Sequence, residues 1–542
     1  MTPLDGNALL QALAIVGATF VSEDATCIAT GLLIHGGQIG WLVGIAACTC
    51  GIFLGDLALW LTGRVFGRRV MEWRWVRKQL PEHSLERFGE WFDRRGWAAV
   101  LAARFVPGTR LPVYLAAGVL GRRAWRFALW ALLAALLWTP ALVILVAVLG
   151  PAIADPLRRF FGAGWLSFLL AIGACWLLVR LGVQCASPIG RAQLWARFSR
   201  LWRWEFWPMW LFYAPLAPWI VYLALRHRGV MTPTAANPGI RPHGGIVGES
   251  KFAILSQLPR EWIVPSVLLA AASHDERMRQ LQSVVETHGW QFPLILKPDA
   301  GQRGAGVRLI RDWAAAQRYV QDHPQALVAQ VYHPGPYEAG IFYCRMPDAE
   351  RGRIFSITDK RFPSLIGDGE STVESLIWRH PRLRMQAATF LARMNGQAGT
   401  VLAAGQHLPL AIAGNHCQGT MFVDGAHLIT PQLEASIDDI ARRFDGFHFG
   451  RFDVRYSDPT DFAAGRGYLI IELNGVTSES TNLYDPEWSI LRAYGVLFRQ
   501  WGLLFAIGAA NRRRGRPVSS LRAVIADSRA YYRERRGSLL SD

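Results

Sequence analysis

The sequence predicts a two-part, multi-domain chain: an α-helical integral membrane domain with re-entrant segments, followed by an α+β domain. Three observations predict it. Apolar runs at residues 40–62, 127–149 and 164–183 reach the roughly 20 residues that a helix needs to cross a bilayer. After Arg226 the texture changes to short β-like runs, turns and helical stretches of ordinary charge. Hydrophobic residues make up 51% of the chain and charged ones 18%, against roughly 25% charged in a typical globular domain, so much of the chain avoids water.

The three long runs are too uniformly apolar for surface helices, and each is expected to span. Residues 9–21 are too short to do so. Residues 97–120 are interrupted by Arg104, Pro107, Gly108, Arg110 and Pro112. Both read as re-entrant segments, because broken backbone at membrane depth is tolerated only where protein or a cavity surrounds it. The N-terminus lacks the basic start and small-residue cleavage site of a signal peptide, so the first run is expected to stay in the mature protein.

The net charge of +17 is placed beside the apolar runs and at the C-terminus, without zinc-finger spacing or an RNA-binding signature, which argues against nucleic acid as a partner. Residues 64–95 carry nine Lys/Arg, and Arg191, Arg197, Arg200 and Arg203 follow the third span, whereas residues 151–162 have only Arg158 and Arg159. By the positive-inside rule the first two segments are cytoplasmic. A full crossing by residues 204–225 would then put the α+β domain on the outer side of the membrane. Pro208, Pro215 and Pro218, among five Trp from Trp202 to Trp219, instead suggest an interfacial or re-entrant hairpin. The expected divisions are 1–150, 151–228, 229–515 and a basic tail, 516–542, with the turn-rich residues 229–239 as a linker. Seven cysteines, Cys27, Cys48, Cys50, Cys175, Cys185, Cys344 and Cys417, show no metal-ligand spacing and read as reduced thiols.

In the second half, a β-run leads into Lys297, a loop with Gly301, Gly304 and Gly306, and a second β-run. A lysine at a strand end supplies a point charge for phosphate oxygens, and glycines let backbone N–H groups approach them. A Gly-rich hairpin with an exposed lysine is the structural alternative. No P-loop pattern is present. Further on, two short strands alternate so that Arg451, Asp453 and Arg455 share one face, as do Glu472 and Asn474. Paired strands would gather two carboxylates and an amide oxygen, hard ligands suited to Mg²⁺ on nucleotide phosphates.

These residues resemble the ATP-grasp superfamily, over about residues 239–508. The resemblance implies that Lys297 and the loop 301–306 bind phosphate, with Lys251 in the GESK stretch as a second phosphate contact. It implies that Gln330, Val331 and Tyr332 form the nucleotide hinge, with Gly335 following and Glu338 holding ribose. Gln330 departs from the glutamate of many members. Asp453, Glu472 and Asn474 match the magnesium ligands, and Arg451 matches the arginine facing an acyl phosphate. Residues 360–373 resemble a loop of cyanophycin-synthetase-like members. The implied cofactors are ATP and Mg²⁺, and the implied reaction is carboxylate–amine ligation through an acyl phosphate.

In the first half, Glu23 follows the first run and Asp56 lies inside an apolar one, while Arg104 and Arg110 flank Pro107 and Gly108. Ionisable groups at such depth are costly and face a cavity or a partner; snorkelling to the interface is the alternative. With Gly55, Gly63, Arg64, Gly67, Phe105, Ala117, Gly118 and Trp138, these residues resemble the DedA family, also called the VTT or SNARE-associated domain. Its prolines after the first glutamate are missing here. The resemblance implies translocation of a lipid or lipid carrier, with Glu23, Asp56, Arg104 and Arg110 as the transport set. Together the two resemblances imply a multi-pass protein of the bacterial inner membrane whose cytoplasmic ligase acts on a small-molecule or lipid-linked carboxylate and amine. A ligase or kinase merely anchored, and a transporter that senses nucleotide, are the other classes.

Overall fold

The fold is given by a computed structural model, which describes residues 6–66, 100, 103–104, 110–119, 124–150, 152, 165–301, 306–394, 396–411, 414, 416 and 419–535. Gly304, Gly67, Phe105, Pro107, Gly108, Cys417 and the loop 153–162 lie outside the described residues. The chain divides into two compact units, Met1–Leu194 and Trp195–Asp542.

In the first unit, α1 (Gly6–Thr19) and α2 (Glu23–His35) have 14 and 13 residues. At 1.5 Å per residue each spans roughly 20 Å, short of the ~30 Å hydrocarbon layer, so neither is long enough to cross it alone. α3 (Trp41–Phe66) and, after α4 (Arg110–Val119), α5 (Ala124–Leu149) have 26 residues each and are long and apolar enough to cross. Their inner faces close a core around Ile28, Cys48, Ile52 and Val143. Leu42, Leu137 and Val148 are exposed, as lipid-facing side chains would be. α3 and α4 pack backbone to backbone: a Cβ on Gly63 would lie 2.3 Å from the Leu115 carbonyl oxygen, and one on Gly118 2.1 Å from that of Trp60. Such small-residue contacts hold helices together where lipid removes the hydrophobic drive. The third expected span forms α6 (Trp165–Ala186), but the chain bends by 120° at a short break before α7 (Pro188–Trp202), giving a broken span or a re-entrant loop.

The second unit is α+β. A four-stranded antiparallel sheet has the order β1 (Ser266–Leu269), β4 (Leu327–Val331), β2 (Leu294–Pro298), β3 (Arg308–Ile310). A five-stranded antiparallel sheet has the order β11 (Tyr468–Asn474), β10 (Phe449–Tyr456), β5 (Tyr337–Cys344), β6 (Arg353–Arg361), β9 (Met421–Asp424). β7 (Ser364–Ile366) and β8 (His407–Pro409) form a two-stranded antiparallel sheet packed by Ile377 and Phe390.

Short helices α8 (Met209–Tyr213), α9 (Leu216–Arg226) and α10 (Lys251–Leu255) precede β1, and α11 (His274–His288) and α12 (Trp313–Asp322) cover the first sheet. One face of the larger sheet buries Phe452 and Val454 against Leu433, Ile437 and Ile440 of α13 (Pro431–Arg443). The other buries Phe342 and Phe449 against Leu504 and Ile507 of α14 (Ile490–Arg513). α14 is also long and apolar enough to cross a membrane; its apolar stripe has a partner in the sheet.

Three expected divisions change. Residues 204–225 break into pieces of at most 11 residues. They belong to the second unit, where Trp204, Phe212 and Leu216 are buried with Leu483, Val496 and Leu497. The two compact units divide after Leu194, within α7, and inside the second unit the aromatic segment covers α14. Residues 229–239 are no linker: Thr232–Ala235 form a buried 3-10 turn, and the Asn237 carboxamide accepts the His448 and Phe449 amides and donates to the Phe449 carbonyl. Turn formers here pin a strand edge. The basic tail contains a helix, α15 (Leu521–Arg535), against which His243 bonds Ser519 and Asp527 at 2.9 and 2.8 Å.

Candidate active site

The site lies where the two sheets of the second unit meet. β10 and β11 pair so that Asp453 stands opposite Glu472 and Arg451 opposite Asn474, which gathers the two carboxylates and the amide. A register shift after Asp453 leaves Ile471 out of the pairing, a bulge of the kind that re-aims backbone groups. The Ile471 carbonyl accepts from Lys297 Nζ at 3.0 Å, across from β2 of the other sheet. Lys297 Nζ also donates to Gln330 Oε1 at 3.2 Å, and Gln330 donates to Ser266 Oγ at 2.9 Å. Burial, partly offset by Glu472, lowers the Lys297 ammonium to about 8.

Lys251, the first residue of α10, reaches Glu472 Oε1 at 3.0 Å. Against burial, which alone would raise it, Lys251 and then Lys297 hold the Glu472 carboxyl below its ordinary value. Asp453 is gripped by Arg451 Nε at 2.9 Å and Lys360 Nζ at 3.0 Å. Burial opposes its ionisation, but Arg451 and Lys360 bring it to about 2. Asn474 Nδ2 lies 3.4 Å from Asp453 Oδ2. Gly340, opposite Asp453 on β5, makes room: a Cβ there would meet Arg451 Cδ at 3.0 Å and Asp453 Oδ1 at 3.2 Å.

The structure thus brings Lys251, Lys297, Arg451, Asp453, Glu472 and Asn474 together. Two of the expected nucleotide residues are engaged with other side chains. Glu338 is buried, with one oxygen on Lys360 Nζ at 2.9 Å and the other on Arg455 Nε at 3.0 Å, so it fixes these cations. The Gln330 side chain is buried and orients Lys297. Val331 ends β4 and Tyr332 opens the connection to β5, between the sheets. Gly301 ends the described part of the glycine loop; Gly306, with φ +73°, resumes it, its carbonyl accepting the Tyr319 hydroxyl proton.

Sequence reasoning missed Lys360 and Glu249. Lys360 sits in an alternating strand whose register against Glu338 is a long-range fact. Glu249 Oε2 is buried without a hydrogen-bond partner among the described residues, and burial raises its carboxyl above the ordinary value.

This donor set fits Mg²⁺. Among the described residues no three His, Cys, Asp or Glu side chains form a complete cage. Mg²⁺, however, is ordinarily held by one or two carboxylates together with phosphates and water. Asp453, Glu472 and Asn474 would supply the protein oxygens, and the unpartnered Glu249 oxygen adds a further acceptor nearby.

In the first unit, Asp56 of α3 is 0% exposed and accepts from Arg110 Nε at 2.7 Å. Arg104 also pairs with Asp56, and Glu23 pairs with Arg110 and lies 3.9 Å from Arg104. All four expected residues meet in one ion-paired cluster.

Residues 22–148 match the family model of the VTT domain. Over 142 residues the chain is 27% identical to a membrane protein of Haemophilus influenzae, covering 26% of this chain and 67% of that one. It is 33% identical over 124 residues to inner membrane protein YghB of Escherichia coli K12, covering 23% and 56%. It is 26% identical over 120 residues to undecaprenyl phosphate transporter A of Bacillus subtilis, covering 22% and 61%. The chain therefore spans 56–67% of the length of these curated relatives.

Among solved structures it is similar to a D-alanine–D-alanine ligase from Bacillus anthracis, with 13% identity, 49% of this chain, 68% of that one and TM-score 0.27. A bifunctional glutathione synthetase from Pasteurella multocida gives 15%, 44%, 34% and 0.25. Residues 22–148 are thus similar to VTT domains, and an α+β unit built on antiparallel sheets follows them.

Proposed function

We propose that the second unit is an ATP-dependent carboxylate–amine ligase and that the first moves, or presents, a lipid-type envelope molecule. The observation that carries the ligase reading is the set of cations, the buried Lys251 and Lys297 and the half-buried Arg451, packed around Asp453, Glu472 and Asn474 where two antiparallel sheets meet. An unliganded array of this kind is costly unless each charge has a partner. Here the carboxylates hold the cations in place for phosphate oxygens.

In the proposed reaction a substrate carboxylate oxygen attacks the γ-phosphorus of ATP. The bond to the β–γ bridging oxygen breaks and ADP leaves. An amine then attacks the acyl carbon, a C–N bond forms, phosphate departs and the amine loses a proton. Lys297 and Lys251 would stabilise the charge on the transferred phosphoryl group. Arg451, held by Asp453 and by the Glu479 carbonyl at 2.9 Å, would face the acyl phosphate. Bound Mg²⁺ supplies charge neutralisation of the phosphates; such transfers depend chiefly on positioning and electrostatics. No side-chain nucleophile is required. The arginine distribution and the inner-membrane relatives support a cytoplasmic position for this unit and a bacterial inner-membrane location. The Glu23–Asp56–Arg104–Arg110 cluster supports translocation of an anionic lipid carrier.

The test traps the intermediate. Purified full-length protein in detergent is incubated with ATP, Mg²⁺, hydroxylamine and a panel of carboxylates including amino acids. Hydroxamate formation coupled to ADP release, lost in Lys297→Ala, is expected. ADP release with a stable phosphorylated product and no hydroxamate would replace the ligase by a kinase.

A further inference from the structure

Beyond the nucleotide site, on the same side of the larger sheet, a cavity of about 550 Å³ opens between β6, the 3-10 turn Thr481–Tyr484 and α14. Three arginines line it, Arg353, Arg492 and Arg499, together with Trp488, Phe355 and Leu503. No acidic residue is among the described residues lining it. The guanidinium of Arg492 lies 3.8 Å from the Trp488 ring centroid, which fixes its plane, and its ion pair with Asp424 is a loose 3.5 Å. Arg499 uses Nε on the Gly495 carbonyl at 3.2 Å.

The cavity adjoins the active site. Ser356 in its wall and Lys360 beside Asp453 are four residues apart on β6, about 13 Å at the usual strand rise. The loop that leaves Asn474 runs through Ser480, bonded to Ser356, and Thr481, bonded to Thr358 at 3.0 Å, to Asn482 in the cavity wall. Trp488 also joins an aromatic cluster with Trp204, Phe212 and Tyr484. Around that cluster Trp210 and Leu491 are 74% and 79% exposed. Three guanidinium groups on one lining favour an oxyanion, and the aromatic and aliphatic walls favour an apolar group attached to it.

We propose that this cavity binds one substrate of the ligase through an oxyanion, phosphate or carboxylate, carried on an apolar chain. The assignment as a substrate site rests on the ligase reading; the binding itself does not.

The experiment uses the full chain in phosphatidylcholine nanodiscs and hydrogen–deuterium exchange. Farnesyl phosphate, farnesol and inorganic phosphate are added separately, without nucleotide. Farnesyl phosphate is expected to protect peptides covering residues 353–358 and 486–503, with half-maximal protection shifted at least tenfold upward in Arg353→Gln/Arg499→Gln. Retained protection of residues 294–298 by AMP-PNP and Mg²⁺ in that variant shows that it is folded.

Equal protection by farnesol overturns the oxyanion, and equal protection by inorganic phosphate overturns the apolar chain. Absent protection, or protection indifferent to the two substitutions, overturns the site. If AMP-PNP protects nothing while farnesyl phosphate behaves as expected, the ligase reading fails and the binding site stands.

Discussion

Lys297 gives the sharpest quantitative handle on the proposed nucleotide site. Burial holds its ammonium near 8 against an ordinary 10.5, so the free protein carries it about half charged at pH 8. Nucleotide phosphates at the ammonium would restore the charge, and binding must then draw in a proton. If the bound pKa returns to its ordinary value, uptake is roughly 0.1 proton at pH 7, 0.5 at pH 8 and 0.9 at pH 9. Affinity for AMP-PNP–Mg²⁺ falls correspondingly, by about tenfold between pH 7 and pH 9.

The stability trend has the opposite sign. Between the folded value near 8 and the unfolded value the unfolded chain binds more protons, so this group makes the free protein more stable as pH rises through that window. Weaker binding there cannot be ascribed to Lys297-driven unfolding. Calorimetry in buffers of different ionisation enthalpy measures the proton count directly. Lys297→Arg, charged throughout, should bind with little pH dependence. Zero uptake at pH 8.5 together with a flat wild-type affinity from pH 7 to 9 would refute the reasoning.

Other substitutions probe separate parts of the structure. Lys360→Met removes the cation shared by Glu338 and Asp453 and should cost about 3–5 kcal/mol, the usual penalty for breaking a buried pair; an unchanged melting temperature would exclude the role. Glu472→Ala should abolish the dependence of nucleotide binding on Mg²⁺, seen by titrating AMP-PNP with and without the metal. Retained dependence would remove Glu472 from the ligand set. In the first unit, Gly118→Val forces a Cβ against the Trp60 carbonyl, 2.1 Å away, so α3 and α4 must part. Membrane abundance should fall severalfold on quantitative immunoblots, and wild-type abundance would show that this helix contact is dispensable.

The candidate site was legible in sequence wherever chemistry and local periodicity coincide. Asp453, Glu472 and Asn474 alternate within apolar strands, and an acid in such a strand needs a local reason. Asp56 stood out for the same cause, being an acid within 26 residues of apolar helix. What escaped were facts of register. Glu338 faces Lys360 because β5 pairs with β6 at that offset, and no pattern within either strand encodes the offset.

The misplaced boundary has a different origin. Residues 204–226 are as apolar as a membrane segment because they are a core element. Residues 229–239 are rich in Pro, Gly and Asn because a tight turn must dock on β10, not because the chain is loose there. Composition reports the need for burial or for turning and does not say what supplies the partner.

The cover that Trp204, Phe212 and Leu216 provide for α14 makes membrane insertion and folding rival fates for one stretch of chain. During synthesis the stretch emerges hundreds of residues before Val496 and Leu497, its eventual partners, exist. For that interval the lipid interface is the apolar refuge on offer, and the three prolines keep the stretch from settling there as a continuous rod. Shortening the chain before residue 490 would remove Val496 and Leu497 and leave the aromatic stretch without its packing partners.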